Sequence, residues 1–235
     1  MRLEDNISKG PFKTIQGNLF VTGDISDVYS KEQFDSQFTV LEDRLQAQVD
    51  AAVETATTYR KGEIIEVIAR QCDGGTVEGV SGTYTFENVT DVAELNNATH
   101  TKIPGSLLTY TPPTGAKTVI YEYSFQWRNK DSNSISHFKL NVDGSDIVYS
   151  RFNMNINSAS VYNTQVHYRW VIDINASAND SNTGAMTSWT TPKDIQLLGR
   201  DYGGSNEGFL FGTYYWDGGG TDVFNQPRLS ITAIA

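Results

Sequence analysis

The stretch Thr118–Arg128, TVIYEYSFQWR, decides the fold. Its odd positions hold Val119, Tyr121, Tyr123, Phe125 and Trp127; its even positions hold Ile120, Glu122, Ser124, Gln126 and Arg128. Successive side chains of a strand point to opposite faces, so the alternation predicts a long strand with one aromatic face and one largely polar face. Large apolar groups in an unbroken row need a second sheet to cover them.

Similar runs flank it. Ser136–Val142 places Phe138, Leu140 and Val142 on one face, and Asp143-Gly144 is a hairpin signal before Asp146–Ser150. Gln165–Asp173 sets Val166, Tyr168, Trp170 and Ile172 against Gln165, His167, Arg169 and Asp173, with Val171 among the latter. Glu63–Arg70, Thr83–Val89 and Leu107–Thr111 precede the central stretch; Asp194–Arg200, Gly208–Trp216 and Pro227–Ala235 follow. Residues 90–106 and Asn175–Ser188 read as polar excursions. About ten strands broken by Gly-, Asn- and Asp-rich turns predict a mainly β head over 62–235, an antiparallel sandwich or jelly roll. The last run alternates up to Ala235 and is expected to lie inside a sheet.

Before the head the period changes. Phe34, Phe38, Leu41, Leu45, Val49, Ala52, Ala56 and Tyr59 recur at steps of three and four, a heptad seam with one stutter. Ser30 is a suitable N-cap with Gln33 three residues on, and Gly62 ends the pattern. The expectation is one helix over 30–61 whose apolar stripe has no second helix in its own chain. That favours a parallel oligomeric coiled-coil stalk over a helix packed on its own domain. Residues 1–29 carry two short β-like pieces, Phe12–Gln16 and Asn18–Thr22, too small to bury a core. Phe12, Ile15, Leu19 and Val21 are candidate anchors onto another protein; a loose terminus is the plain alternative.

Composition excludes several classes. Of 235 residues, 20% are charged and 11% aromatic, and the net charge is −10. A nucleic-acid face needs clustered Lys and Arg, which an acidic chain does not favour. One cysteine, Cys72, permits no internal disulfide and reads as a quiet thiol at a strand end. The start, MRLEDNISKG, lacks the apolar core of a signal peptide, and no apolar run reaches membrane-spanning length. The expectation is synthesis in a cytosol without membrane insertion.

No catalytic or metal site assembles from the sequence. His100, His137 and His167 show no metal-ligand spacing, and the last two fall on polar strand faces. Asp91 with Glu94, Asp143 with Asp146 and Asp217 near Asp222 cluster in turns without the spacing of a calcium loop. Gly218–Gly220 lacks the Lys-Ser/Thr and helix of a phosphate cradle. No cofactor is expected. Tyr202 in RDYGGSNEG, and Tyr214 and Trp216 in GTYYWDGGG, combine rings with Asp, Asn and Gly, the material of carbohydrate- or protein-binding surfaces. Each could equally be a core or inter-subunit residue.

A short N-terminal segment, a helix and a β head ending at the last residue together resemble a trimeric phage fibre or spike. The head resembles tumour-necrosis-factor-like and complement-type jelly rolls, whose final strand sits centrally in one sheet, as PRLSITAIA would. The order GEIIEVIARQCDGG, TYTFENV, SLLTYTPPTGAKTVIYEYSFQW is similar to marine bacteriophage structural proteins. The resemblance implies a non-enzymatic virion component, homotrimeric, docked on another virion protein through residues 1–30. The head would meet a host-surface glycan or protein, or decorate the particle. A carbohydrate-binding β-sandwich module is the alternative, and a β-sandwich hydrolase ranks below both.

Overall fold

In the computed structural model the described residues are 12–15, 18–21, 31–57, 59–95, 99–129, 133–157, 160–203, 207–215 and 221–235. The chain divides into two units, Met1–Thr58 and Tyr59–Ala235.

The first unit holds a hairpin and a helix. Strands β1 (Phe12–Ile15) and β2 (Asn18–Val21) pair antiparallel, with Phe12 opposite Val21 and Ile15 opposite Asn18. The expected anchors Phe12, Ile15, Leu19 and Val21 all fall on this pair. Helix α1 (Lys31–Thr57) spans 27 residues without Gly or Pro. Every described side chain on it is exposed. Such a helix draws its stability from packing, because propensity alone is marginal. Among the described residues no helix is long and apolar enough to cross a membrane. Tyr59 is a correction: it lies beyond the helix, in the second unit beside Gly115.

The second unit is β throughout. Its strands are β3 (Ile64–Gln71), β4 (Thr76–Glu78), β5 (Thr83–Thr85), β6 (Ala93–Glu94), β7 (Thr101–Lys102), β8 (Leu108–Tyr110), β9 (Thr118–Asn129) and β10 (Ser134–Val142). They continue with β11 (Ser145–Asp146), β12 (Phe152–Ile156), β13 (Asn163–Asp173), β14 (Lys193–Asp201), β15 (Gly208–Leu210), β16 (Gly212–Tyr215), β17 (Thr221–Phe224) and β18 (Arg228–Ile234). Two six-stranded antiparallel sheets result, together with the two-stranded pairs β4–β5 and β16–β17. In one, β9 lies between β13 and β18, and β3 pairs with the far edge of β18. Strand β15 extends the β18 side of β9 and pairs onward with β6. In the other, β10 and β14 pair centrally; β11 and β12 line the free edge of β10, and β7 and β8 that of β14. The C-terminal strand is thus interior to its sheet, and the Ala235 N–H donates to the Glu63 carbonyl at 2.9 Å.

The stretch TVIYEYSFQWR is β9, the centre of the first sheet. Val119, Tyr121, Tyr123, Phe125 and Trp127 are all almost wholly buried. They face β10: Phe125 lies 5.7 Å from Phe138, which stacks on Phe152, which stacks on Tyr168 of β13. Offset and tilted aromatic packing of this kind adds to area burial. The polar ends are satisfied. Tyr121 and Tyr123 donate to the carbonyls of Ser106 and Pro104, both at 2.6 Å. Trp127 Nε1 donates to Ser136 Oγ at 2.9 Å, tying the two sheets together. Glu66 is also buried, and accepts from Ser81 N–H, Ser81 Oγ and Tyr110 OH at 2.7–2.8 Å. A buried carboxylate needs such donors.

Several boundaries differ from expectation. The Asp143-Gly144 turn forms with both φ positive (51° and 81°), the conformation of a two-residue hairpin turn. The strand after it is only β11, followed by a 3-10 turn at Val148–Ser150. The expected strand Gly208–Trp216 breaks into β15 and β16 at Phe211, whose φ is 65°. Burial of its ring against Phe125 and an N–H bond to Gln126 at 2.7 Å hold Phe211 in that disfavoured conformation. Thr83–Val89 shortens to β5, although Phe86 N–H to the Gly75 carbonyl and the Asp73–Asn88 bridge carry its pairing register onward.

Candidate functional site

The residues proposed from sequence do not gather in one place. On α1, Phe38, Leu41, Leu45 and Val49 are 49–57% exposed, a stripe with its apolar side uncovered. Phe34, Ala52 and Ala56 lie on the same helix. In the second unit, Tyr202 follows β14 and is 63% exposed; its N–H donates to the Ile135 carbonyl and its ring lies 6.3 Å from His137. Tyr214 sits on β16, where its N–H donates to Asn163 Oδ1 at 2.9 Å. The two rings are held by different elements with different neighbours. Trp216 lies outside the described residues.

The outer face of the β3–β18–β9–β13 sheet resolves the polar side of the central strand. One cross-strand row reads Val67, Thr232, Ile120, Val171, with both valines about half exposed. The next reads Ala69, Ser230, Glu122, Arg169, with Arg169 Nε 3.5 Å from Glu122 Oε1. The third reads Gln71, Arg228, Ser124, His167. Ser124 Oγ and His167 Nδ1 are 2.9 Å apart, a hydroxyl–imidazole pair. A nucleophilic triad needs a carboxylate on the base, but Glu122 is engaged by Arg169 and Ser230. Arg128, at the end of β9, is buried; its guanidinium bonds Asp222 at 2.7 Å and lies 4.3 Å from the centre of the Phe209 ring.

The outer face of the opposite sheet is basic. Alternation on β10 and β14 sends His137, Lys139 and Arg200 outward. Pairing puts Arg200 beside His137, and His137 beside Asn153 of β12. With His100, Arg151, Phe138, Phe152 and Asn153 they line an open groove of about 490 Å³. Lys139 is bonded to Asp146. Among the described residues, His137 Nε2 and Arg200 Nε are shielded from water yet have no hydrogen-bond partner. Burial, then the positive charges of Lys139 and Arg200, push the His100 imidazole down to about 4. His100 is therefore neutral at pH 7 in a field that favours an anion.

Two buried groups complete the electrostatics. Asp201 accepts from Ser136 Oγ at 2.7 Å and Gly208 N–H at 2.9 Å, yet burial outweighs both bonds and pushes its carboxyl up to about 6. Cys72 is fully buried, with its thiol 3.2 Å from the Gly105 carbonyl; burial, with Glu87 and Asp73 nearby, raises it to about 12. A thiol so placed is not a nucleophile at neutral pH.

The acidic turns are not paired acids. Asp143 is bonded to Lys193 and Asp146 to Lys139, each carboxylate to its own lysine. Asp217 lies outside the described residues. Among the described residues no group of three or more His, Cys, Asp or Glu could hold a metal ion. Sequence reading placed His137 on a polar face but missed the groove. Its signal was the period-two pair His137, Lys139; the register that brings Arg200, Arg151 and His100 to it is a long-range property.

No protein-family model matches the chain, and no curated protein matches it. Solved structures resemble it loosely. The EclA C-terminal domain, a sugar-binding protein, aligns over 57% of this chain and 84% of its own length at 14% identity and TM-score 0.29. The structure of the infectious bursal disease virus Gx strain aligns over 74% of this chain and 38% of its own, at 8% identity and TM-score 0.34. The Stig cyclase Fisc from Fischerella sp. TAU aligns over 74% and 90%, at 8% identity and TM-score 0.27. Overlaps this loose decide neither fold nor function.

Proposed function

We propose that this chain is a homotrimeric virion structural protein, a phage fibre or decoration whose helix forms a three-stranded stalk and whose β unit is a jelly-roll head. The observation that carries the reading is the exposed stripe Phe38, Leu41, Leu45, Val49 on a 27-residue helix whose described side chains are all exposed. Heptad spacing is self-complementary, so further copies of the same chain are the occupants it fits. The strand order β3–β18–β9–β13 against β8–β14–β10–β12 supports the jelly roll, since the chain crosses repeatedly between two six-stranded sheets and returns to an interior last strand. Val67 and Val171, each about half exposed on either side of the buried Ile120, are a further surface for packing between heads. In this reading the hairpin β1–β2 docks on another virion protein and the head meets a host surface glycan or protein.

Immunogold labelling of purified particles with antibody against residues 59–235 tests the reading. Labelled particles are expected; a chain abundant in the infected-cell lysate but missing from particles would overturn it. The monomeric carbohydrate-binding reading finds its support in Tyr202, whose exposed ring stands beside His137 at the basic groove.

A further inference from the structure

We propose that the groove on the outer face of the β7–β14–β10–β12 sheet binds an acidic saccharide, holding its carboxylate or sulfate by Arg151, Arg200, Lys139 and the histidines, with Tyr202 stacked on the sugar ring. One chain builds the groove, so the proposal does not rest on the trimer.

Three independent features converge there. The first is charge: Lys139, Arg151 and Arg200 meet beside His100 and His137 on one sheet face of a protein whose net charge is −10. Cations spread evenly over such a chain would serve solubility; gathered on one concave face they make an anion site. The second is unmet bonding. His137 Nε2 and Arg200 Nε are shielded and have no partner among the described residues, and a buried polar atom of this kind is normally satisfied. Both atoms are shielded within the sheet face, so a bound oxyanion would meet the two residues through their other nitrogens. The third is shape. A groove of about 490 Å³ falls within the ordinary range for small-ligand sites.

The same surface selects a sugar over a polyanion. Asp146 lies beside the cations through its bond to Lys139, and Asn153 faces His137 across the strand pair. The Asn153 amide can accept from and donate to hydroxyl groups, and the overall acidic field weighs more against a run of successive phosphates than against one anionic group. Tyr202, exposed and 6.3 Å from the His137 ring, supplies an apolar platform of the kind on which a pyranose face rests.

The test is calorimetric titration of the full chain with sialyllactose, a sulfated galactose disaccharide, lactose and a short oligothymidylate. Binding of at least one acidic sugar with a dissociation constant at or below about 1 mM is expected, with lactose silent and the oligonucleotide weaker. Which acidic sugar binds more tightly tells carboxylate from sulfate as the recognised group. Arg200→Ala with Arg151→Ala should weaken binding at least about tenfold, and Tyr202→Phe should leave it within about twofold while Tyr202→Ala lowers it clearly. Circular dichroism checks that each variant folds; His100, followed by NMR in the wild type, should titrate at higher pH with the acidic sugar bound. Silence from both acidic sugars, equal binding of lactose, tighter binding of the oligonucleotide, or an unchanged His100 titration with sugar bound would overturn the proposal.

Discussion

Asp201 shows how one residue carries a pH dependence. Its carboxyl bridges Ser136 Oγ and Gly208 N–H, and through Ser136 it reaches Trp127. Its folded value near 6 lies above the ordinary 3.8, so the native state holds the proton more tightly than the unfolded chain. Stability from this group is present below about pH 4 and is lost as pH rises through 6. The loss is on the order of 2 kcal/mol. Asp201→Asn keeps the bridge, since the amide can donate to Ser136 Oγ and accept from Gly208. Urea denaturation from pH 4 to 7 should show the variant gaining on the wild type as pH rises; a pH-independent difference would refute this account of Asp201. None of this was legible in sequence, where Asp201 is simply the residue before an exposed tyrosine. Its burial depends on β10 and β15 meeting it from either side.

At the scale of elements, the long runs were readable and the short ones were not. Strands β9, β10, β13 and β18 have period-two alternation over seven or more residues, so their faces follow from the residues themselves, whereas β14 alternates only in burial. Strands β4, β6, β7 and β17 span two to four residues and exist because a neighbour offers bonding groups. Helix α1 was readable from its heptad spacing, apart from Tyr59, whose apolar ring continued the rhythm beyond the last helical turn. The stripe on α1 makes its own prediction. Leu41→Asn with Leu45→Asn puts an amide at two successive seam positions and should raise the dissociation constant of the assembly at least about tenfold. Near-UV circular dichroism of the β unit should not change. An assembly of unchanged strength would show that the stripe is not the oligomerisation element. Removing residues 1–30 should leave the assembly whole and prevent its incorporation into particles, which a particle-binding assay reads directly.

At the scale of the molecule, the head has two outer faces of different character. One carries the half-exposed apolar row and a mixed charged row; the other carries a basic groove. The aromatic inner faces cover one another, and the two outer faces differ in what they expose: the proposed packing between copies would use the first and the proposed saccharide site the second. The sequence made the inner faces legible because they are apolar in strict alternation. It hid the outer ones because a face belongs to several strands at once, and only register tells that His137 and Arg200 are neighbours while Tyr202 and Tyr214 have different surroundings. The central claim remains three copies joined by α1. Its most direct test is the solution mass of the full chain at micromolar concentration by light scattering coupled to size exclusion. The account predicts three times the 26.1 kDa chain mass; a species of the single-chain mass would contradict it.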